Sequence, residues 1–168
     1  MTTELLNKKI TENDKSFLSF KLGEEYFAIN VMKIMEILEV PKITKVPQTP
    51  DFLKGVANLR GAVLPVIDSR IKFKMSPIEF TVNTCILVLN IEVDNDSIMV
   101  GALVDSVLEV FEVENDQIQP SPTIGTQYRA DFIQGMIKEK DQFMMLLNID
   151  KVFSSHDLDQ IAEIKEEN

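Results

Sequence analysis

The sequence of 168 residues has one cysteine, one histidine and no tryptophan. A single cysteine excludes a disulfide within the chain, and one cysteine with one histidine cannot supply the ligands of a zinc or other transition-metal site. Neither half of the chain holds a glycine-rich phosphate-binding loop. We therefore expect no metal and no cofactor.

Positive charge is also scarce, since 17 lysines and arginines stand against 27 aspartates and glutamates, which gives a net charge of −10 and a pI near 4.6. A chain of this charge repels polyanions, so nucleic acid is excluded as a partner. No apolar run approaches the ~18 residues of a membrane span, and the first residues lack the apolar core of a signal peptide. We expect a cytoplasmic protein with no direct membrane insertion.

Hydrophobic residues make up 45% of the chain, and the mean hydropathy is near zero, which is typical of a folded domain. Residues 1–15 are polar and aperiodic, which predicts a flexible N-terminal arm. The rest consists of short runs that alternate in twos between turn residues, a pattern of antiparallel strands. The fold class is therefore mainly β, with short helical turns and a C-terminal helix.

The first half predicts a β-hairpin around Gly23, followed by a helical turn that Asn30 caps. Threonine, proline and glycine at the N-cap, first and last positions of residues 49–55 predict a short helix. Two further strands flank Leu59-Arg60-Gly61. The predicted segments are strands Phe17–Leu22, Tyr26–Ile29, Ile37–Val40, Val56–Asn58 and Ala62–Ile67, helical turns Val31–Met35 and Thr49–Gly55, and a C-terminal helix Asp150–Lys165 interrupted near Ser154-Ser155.

The sequence contains an internal repeat. Residues 51–57 (DFLKGVA) recur 80 positions later as 131–137 (DFIQGMI), and residues 34–39 (IMEILE) match 107–112 (VLEVFE) at a shift of 73. The extra residues fall in the proline-containing loop 119–125. A copy of about 70 residues buries little core by itself, so we predict two small β-barrels packed face to face, at about 16–80 and 81–153, with 154–168 as an acidic helix or tail.

The residues that could carry chemistry are few. His156 lies in a polar helix start, which is typical of a solvated side chain, and Cys85 precedes an apolar run, which favours a buried structural thiol. A small hydrolase that uses a serine, His156 and an acid remains the competing class. The loss of any intrinsic activity in His156→Ala would favour it.

The two copies differ at one turn, where residues 58–61 read NLRG and residues 138–141 read KEKD. Arg60 either presents its planar fork to a carboxylate or carbonyl of a partner, or bonds the protein's own turn carbonyls. Glu36, which stands among apolar residues, is the second candidate, and its alternative is a solvent-facing charge. These two residues are where we look for function.

Several motifs resemble the CheW family of chemotaxis coupling proteins. The likeness covers about residues 16–153, and the run Gly55-Val56-Ala57-Asn58-Leu59-Arg60-Gly61 is its most specific part. Further matching motifs are Lys33-Ile34-Met35-Glu36-Ile37, Leu64-Pro65-Val66-Ile67-Asp68, Val104-Asp105-Ser106-Val107, the Pro120-x-Pro122 loop and Phe132-Ile133-Gln134-Gly135.

The resemblance implies two interlocked, SH3-like, five-stranded β-barrels and no enzymatic activity. It further implies a scaffold that couples the cytoplasmic tips of methyl-accepting chemotaxis receptors to the regulatory domain of the histidine kinase CheA, in arrays beneath the membrane. The alternative is an adaptor of a pili or gliding kinase array.

By matching positions, the resemblance also implies a set of partner-binding residues. Ile34, Glu36 and Gly55 would contact kinase and receptor. Arg60, with its motif neighbours Asn58 and Gly61, would set the signalling geometry near the receptor tip. Val110 would line a receptor groove between the barrels. Ile124 would lie in the ring contact, at a position that is usually aromatic.

Overall fold

The computed structural model describes residues 15–93, 95–120, 132–139 and 141–167. The predicted N-terminal arm and Ile124 lie outside the described residues. Within these ranges the chain forms ten strands, three 3₁₀ turns and two α-helices. The strands are β1 (Ser16–Leu22), β2 (Glu25–Asn30), β3 (Ile34–Glu39), β4 (Leu53–Leu59), β5 (Ala62–Asp68), β6 (Cys85–Val93), β7 (Asp96–Val104), β8 (Ser106–Glu112), β9 (Ile133–Glu139) and β10 (Gln142–Leu147). The helices are α1 (Ser69–Lys72) and α2 (Ser155–Glu167), and the 3₁₀ turns are Val31–Lys33, Asn115–Gln117 and Ile149–Lys151.

The strands form two five-stranded sheets, so the mainly β prediction is confirmed. The first sheet has the order β8-β1-β2-β10-β9, and the second has the order β3-β6-β7-β5-β4. Neighbouring strands are antiparallel except at one place in each sheet, where β10 runs parallel to β2 and β5 runs parallel to β7.

The internal repeat is visible in the strand order. A shift of 80 residues carries β4 onto β9 and β5 onto β10, and a shift of 73 carries β3 onto β8. With β1 and β2 matched to β6 and β7, the two sheets have the same order of equivalent strands. Each copy therefore gives its first hairpin to the sheet built from the other copy's last three strands.

Because the hairpins are exchanged, the two sheets do not correspond to the two ranges predicted from the repeat. The sheets do not follow a boundary near residue 80, because each takes strands from both sides of it. The parallel β2–β10 and β5–β7 pairings are the seams at which a hairpin of one copy joins the other. Neither copy supplies a complete five-stranded sheet by itself.

The largest cluster of buried side chains draws on both sheets and on α2, with Leu18 and Phe20 of β1 packed in the same cluster as Leu89 of β6 and Leu158 of α2. Aromatic rings extend this contact. Phe73 stacks on Phe27 and on Phe132, with ring centres 5.6 and 5.3 Å apart. Burial of this shared apolar surface holds the sheets together.

Two ion pairs join the copies at nearly equivalent places, and the acidic and basic residues are exchanged between them. Arg70 Nη2 lies 2.6 Å from Asp105 Oδ2, which also accepts the Gly23 N–H at 2.7 Å. Eighty positions after Arg70, Asp150 lies 2.7 Å from Lys33 Nζ and accepts the Glu92 N–H at 3.0 Å. In each case one carboxylate holds both a basic side chain and a backbone N–H at or near the end of an exchanged hairpin.

The predicted helix at residues 49–55 is wrong. The Leu53 N–H donates to the Pro50 carbonyl at 3.0 Å, which makes a tight turn, and β4 begins at Leu53. Gly55 does not end a helix. It lies in β4 against residue 44, where an added Cβ would come 2.3 Å from the Thr44 carbonyl oxygen. Glycine stands there because another backbone approaches the strand closely.

The turn after β2 follows the prediction at its start. The Asn30 side chain accepts the Met32 N–H at 2.9 Å, as a cap should. The turn ends at Lys33 rather than at Met35, and β3 begins at Ile34.

The C-terminal helix begins later than predicted. Ser154 Oγ accepts the Asp157 N–H at 3.0 Å, and the Ser154 N–H donates to the Asp157 carboxylate at 3.0 Å, a reciprocal cap. The predicted interruption near Ser154-Ser155 is therefore confirmed, and it separates the 3₁₀ turn Ile149–Lys151 from α2. No helix in the described ranges combines the length and the apolar character needed to cross a membrane.

Candidate functional site

Glu36 lies on β3, an edge strand of the second sheet whose pairing partner is β6. The register shifts between Ile34 and Glu36, so β3 bends there. Ile34 is buried at 3% exposure, whereas Met35 is 54% exposed. The strand thus anchors itself through Ile34 and places Met35 and Glu36 at the rim of the sheet.

Arg60 lies in the two-residue turn between β4 and β5. Arg60 and Gly61 have φ values of 50° and 87°, both positive, as in the tight type I′ hairpin turn. Asn58 fixes this turn because its Oδ1 accepts the Gly61 N–H at 2.8 Å. Asn58 and Gly61 therefore set the direction in which Arg60 leaves the turn.

Arg60 and Glu36 form a bidentate ion pair. Arg60 Nη1 lies 3.2 Å from Glu36 Oε1, and Nη2 donates to Oε2. The pair joins edge strand β3 to the turn beside β4, the opposite edge strand of the same sheet. The Arg60 fork pairs with a carboxylate of this chain, which is neither of the two roles predicted for it, namely contact with a partner's group or with the protein's own turn carbonyls.

The pair keeps both groups ionised. The hydrogen bond from Arg60 lowers the pKa of the Glu36 carboxyl, more than partial burial raises it. The hydrogen bond to Glu36 raises the pKa of the Arg60 guanidinium. The Arg60 side chain is 70% exposed, against 21% for Glu36. A fixed, solvent-facing guanidinium edge with further N–H groups is thus available to another molecule.

Comparison with known proteins identifies the family of this chain. The family model of the CheW-like domain matches residues 16–157. The chain belongs to the CheW-like family. It is 32% identical over 144 residues to the chemotaxis protein CheW of Klebsiella aerogenes, covering 86% of this chain and 84% of that one. It is 33% identical over 150 residues to the CheW of Rhizobium meliloti, covering 89% and 94%.

A solved structure agrees with this family assignment. The scaffolding protein TtCheW from Thermoanaerobacter tengcongensis superposes with a TM-score of 0.74 at 28% identity, covering 86% of this chain and 91% of that chain. The CheW-like resemblance predicted from the sequence motifs is therefore confirmed.

The other predicted partner-binding residues of this CheW-like chain occupy different places. Gly55 is buried in β4 beneath Thr44, so its contribution is to the shape of the strand. Val110 is half-buried on β8 of the first sheet, opposite Leu18. It is not part of the second-sheet group that the structure brings together, namely Glu36, Asn58, Arg60 and Gly61. Ile124 lies outside the described residues.

Sequence reasoning missed two exposed methionines, one in the 3₁₀ turn before β3 and one in β3 next to Glu36. Neither residue was among the candidates from the sequence, yet Met32 and Met35 are 55% and 54% exposed. For Met35 the signal was present in the alternation of β3, because a strand that buries Ile34 turns the next side chain outward. Both are flexible apolar side chains exposed to solvent, a kind of residue that is common at protein-binding surfaces.

His156 and Cys85 are the residues that the sequence offered for chemistry. His156 is exposed in the first turn of α2. Burial raises the pKa of the Cys85 thiol to about 11, so it stays protonated at neutral pH. Among the described residues, no three His, Cys, Asp or Glu side chains are grouped so that they could hold a metal ion.

Proposed function

We propose that this chain is a non-catalytic adaptor that couples methyl-accepting chemotaxis receptors to the histidine kinase CheA. The observation that carries the proposal is the Glu36–Arg60 pair, which fixes an exposed guanidinium at the rim of the second sheet of a CheW-like fold. The names of the relatives, chemotaxis protein CheW, favour a chemotaxis array over a pili or gliding array.

The pair suits protein recognition for a physical reason. A guanidinium that is already oriented loses less conformational entropy when it binds than a free arginine does. Its remaining N–H groups can donate to a carboxylate or carbonyl of the kinase or receptor. Met35, the residue before Glu36 in β3, is exposed and adds apolar area at this edge of the sheet. Interfaces commonly join an apolar centre to a polar rim.

Signalling requires more than attachment. An adaptor shifts the kinase between its on and off arrangements only if the adaptor's contacts differ in free energy between them. Arg60 provides such a contact if it shares its N–H groups between Glu36 and a partner in one arrangement and keeps them on Glu36 in the other.

We further propose that residues 16–153 act as one unit. Val110 contributes to the receptor contact, and Ile124 contributes to the ring contact. Receptors recruit the protein to the membrane.

Co-sedimentation with receptor-containing membranes and CheA tests the proposal. Arg60→Glu should leave the far-UV circular dichroism unchanged, because the side chain is solvent-facing, yet reduce co-sedimentation and receptor control of kinase activity. Lys151→Glu is the matched control, since Lys151 is an exposed basic residue in the 3₁₀ turn before α2. Normal co-sedimentation and normal kinase control by folded Arg60→Glu would refute the assignment.

A further inference from the structure

The first sheet has a groove of about 420 Å³ between β8 and the hairpin formed by β9 and β10. Leu108 and Phe143, which line it, are each 46% exposed, and Tyr26 and Met144 add further apolar surface. Three carboxylates, those of Glu109, Glu139 and Asp141, also line it. The groove thus combines uncovered apolar surface with an acidic rim.

The internal repeat relates this groove to the place of the Glu36–Arg60 pair in the second sheet. Glu109 stands 73 residues after Glu36, and the β9–β10 hairpin stands 80 residues after the β4–β5 hairpin. In the second sheet, the equivalent carboxylate and turn are joined by the Glu36–Arg60 pair. In the first sheet, none of the three lining carboxylates forms an ion pair with another described residue. The first sheet therefore lacks, within the described residues, the arginine contact that the second sheet has.

The wall of the groove on the β8 side is held by a local irregularity. The register between β1 and β8 shifts between Leu18 and Phe20. At the shift, Ser19 Oγ accepts the Glu109 N–H and donates to the Glu109 carbonyl, both at 3.1 Å. Because Ser19 satisfies both backbone groups of Glu109, the glutamate is fixed at the groove without a partner for its carboxylate among described residues.

We propose that this groove binds a segment of a partner protein in which an arginine lies next to an apolar side chain. The apolar side chain packs on Leu108 and Phe143, and the arginine donates to the acidic rim in the way that Arg60 donates to Glu36. Charge complementarity supports this occupant, because the groove presents three carboxylates to it. The described lysines nearest in the fold are Lys21, whose Nζ lies 5.7 Å from the centre of the lining Tyr26 ring, and Lys138, which pairs with Phe143 across β9 and β10. Neither forms an ion pair with a lining carboxylate among the described residues. The proposal concerns the first sheet and does not depend on the function proposed for Arg60.

A peptide titration of the isotope-labelled full chain tests this. The probe is acetyl-Gly-Leu-Arg-Leu-Gly-amide, and its matched control has glutamine in place of arginine. The arginine peptide should shift the backbone amide signals of Leu108 and Gln142 and bind about tenfold more tightly than the glutamine peptide, with the difference shrinking as salt is added. Asp141→Asn should weaken arginine-peptide binding several-fold, whereas Glu79→Gln, in the loop before β6, should not.

One alternative occupant belongs to the chain itself. Lys140 stands at the repeat position of Arg60, and its side chain lies outside the described residues. If the arginine peptide binds only to Lys140→Gln, the chain's own lysine covers the acidic rim and the proposal is wrong. Equal binding of both peptides, or shifts confined to other surfaces, would also overturn it.

Discussion

Arg60 and Glu36, 24 positions apart in sequence, meet as a bidentate ion pair that joins the β4–β5 turn to edge strand β3. Each residue was a candidate by itself, one as a donor fork and one as a charge among apolar neighbours. Their contact makes them a single unit, since Glu36 sets the orientation of the guanidinium and Asn58 fixes the turn that carries it. Tests of function must therefore change the two residues together as well as singly.

Exchanging Arg60 and Glu36 distinguishes the contribution of the ion pair from the contribution of each residue alone. Arg60→Glu and Glu36→Arg should each reduce co-sedimentation with receptor and kinase, because each places two like charges in contact. The double exchange should recover the pair. If a partner also accepts hydrogen bonds from the guanidinium, the folded double variant should still co-sediment poorly with receptor and kinase. The reason is that its guanidinium projects from β3 rather than from the β4–β5 turn. Full recovery would show that the pair acts only within the chain.

Gly55 should tolerate no side chain. Gly55→Ala places a Cβ 2.3 Å from the Thr44 carbonyl oxygen, so we expect a loss of about 1–3 kcal/mol in the free energy of unfolding. Gly61→Ala is the matched control, because nothing lies within 4 Å of its added Cβ and only the positive φ opposes it, at a cost of about 1 kcal/mol. Urea unfolding compares the two, and a Gly55→Ala variant as stable as Gly61→Ala would contradict this account.

The Arg70–Asp105 pair should make stability depend on pH at the acid end. Burial opposes ionisation of Asp105, but the hydrogen bonds from Arg70 and from the Gly23 N–H outweigh it, and the pKa of the carboxyl lies below its ordinary value of 3.8. A lowered folded-state pKa adds stability that is complete above the unfolded pKa and disappears as the pH falls through the folded value.

Asp105→Asn should therefore lower the free energy of unfolding at pH 7 by about 2 kcal/mol. It should also flatten the loss of stability below about pH 4. Asp51→Asn, at an exposed turn position before β4, is the control. Urea unfolding between neutral and acid pH provides the measurement, and parallel pH profiles for wild type and Asp105→Asn would exclude the linkage.

Cys85 should react slowly in the folded protein. With a thiol pKa raised to about 11 by burial, only about one molecule in ten thousand carries the thiolate at pH 7. Reaction with Ellman's reagent should accelerate about a hundredfold or more when denaturant is added. A native rate close to that of the unfolded chain would show an accessible thiol instead.

Turn and cap residues made several parts of the fold predictable from the sequence. The hairpin around Gly23, the Asn30 cap and the interruption at Ser154-Ser155 follow from turn and cap residues that act over a few positions. The repeat identified equivalent strands before any pairing was known. The failure at residues 49–55 has a local cause as well, because a threonine, a proline and a glycine at helix-end spacing can equally serve a turn that leads into a strand.

By itself, the sequence determined that the chain is acidic, has a single cysteine and a single histidine, and is built from two copies of one β unit. Only the tertiary structure decided that the copies exchange their first hairpins, that Gly55 lies beneath Thr44, and that Arg60 meets Glu36. The reason is physical. Alternation specifies which side chains face inward along a strand, but which strand lies beside it depends on burying the apolar surface of the whole chain at once.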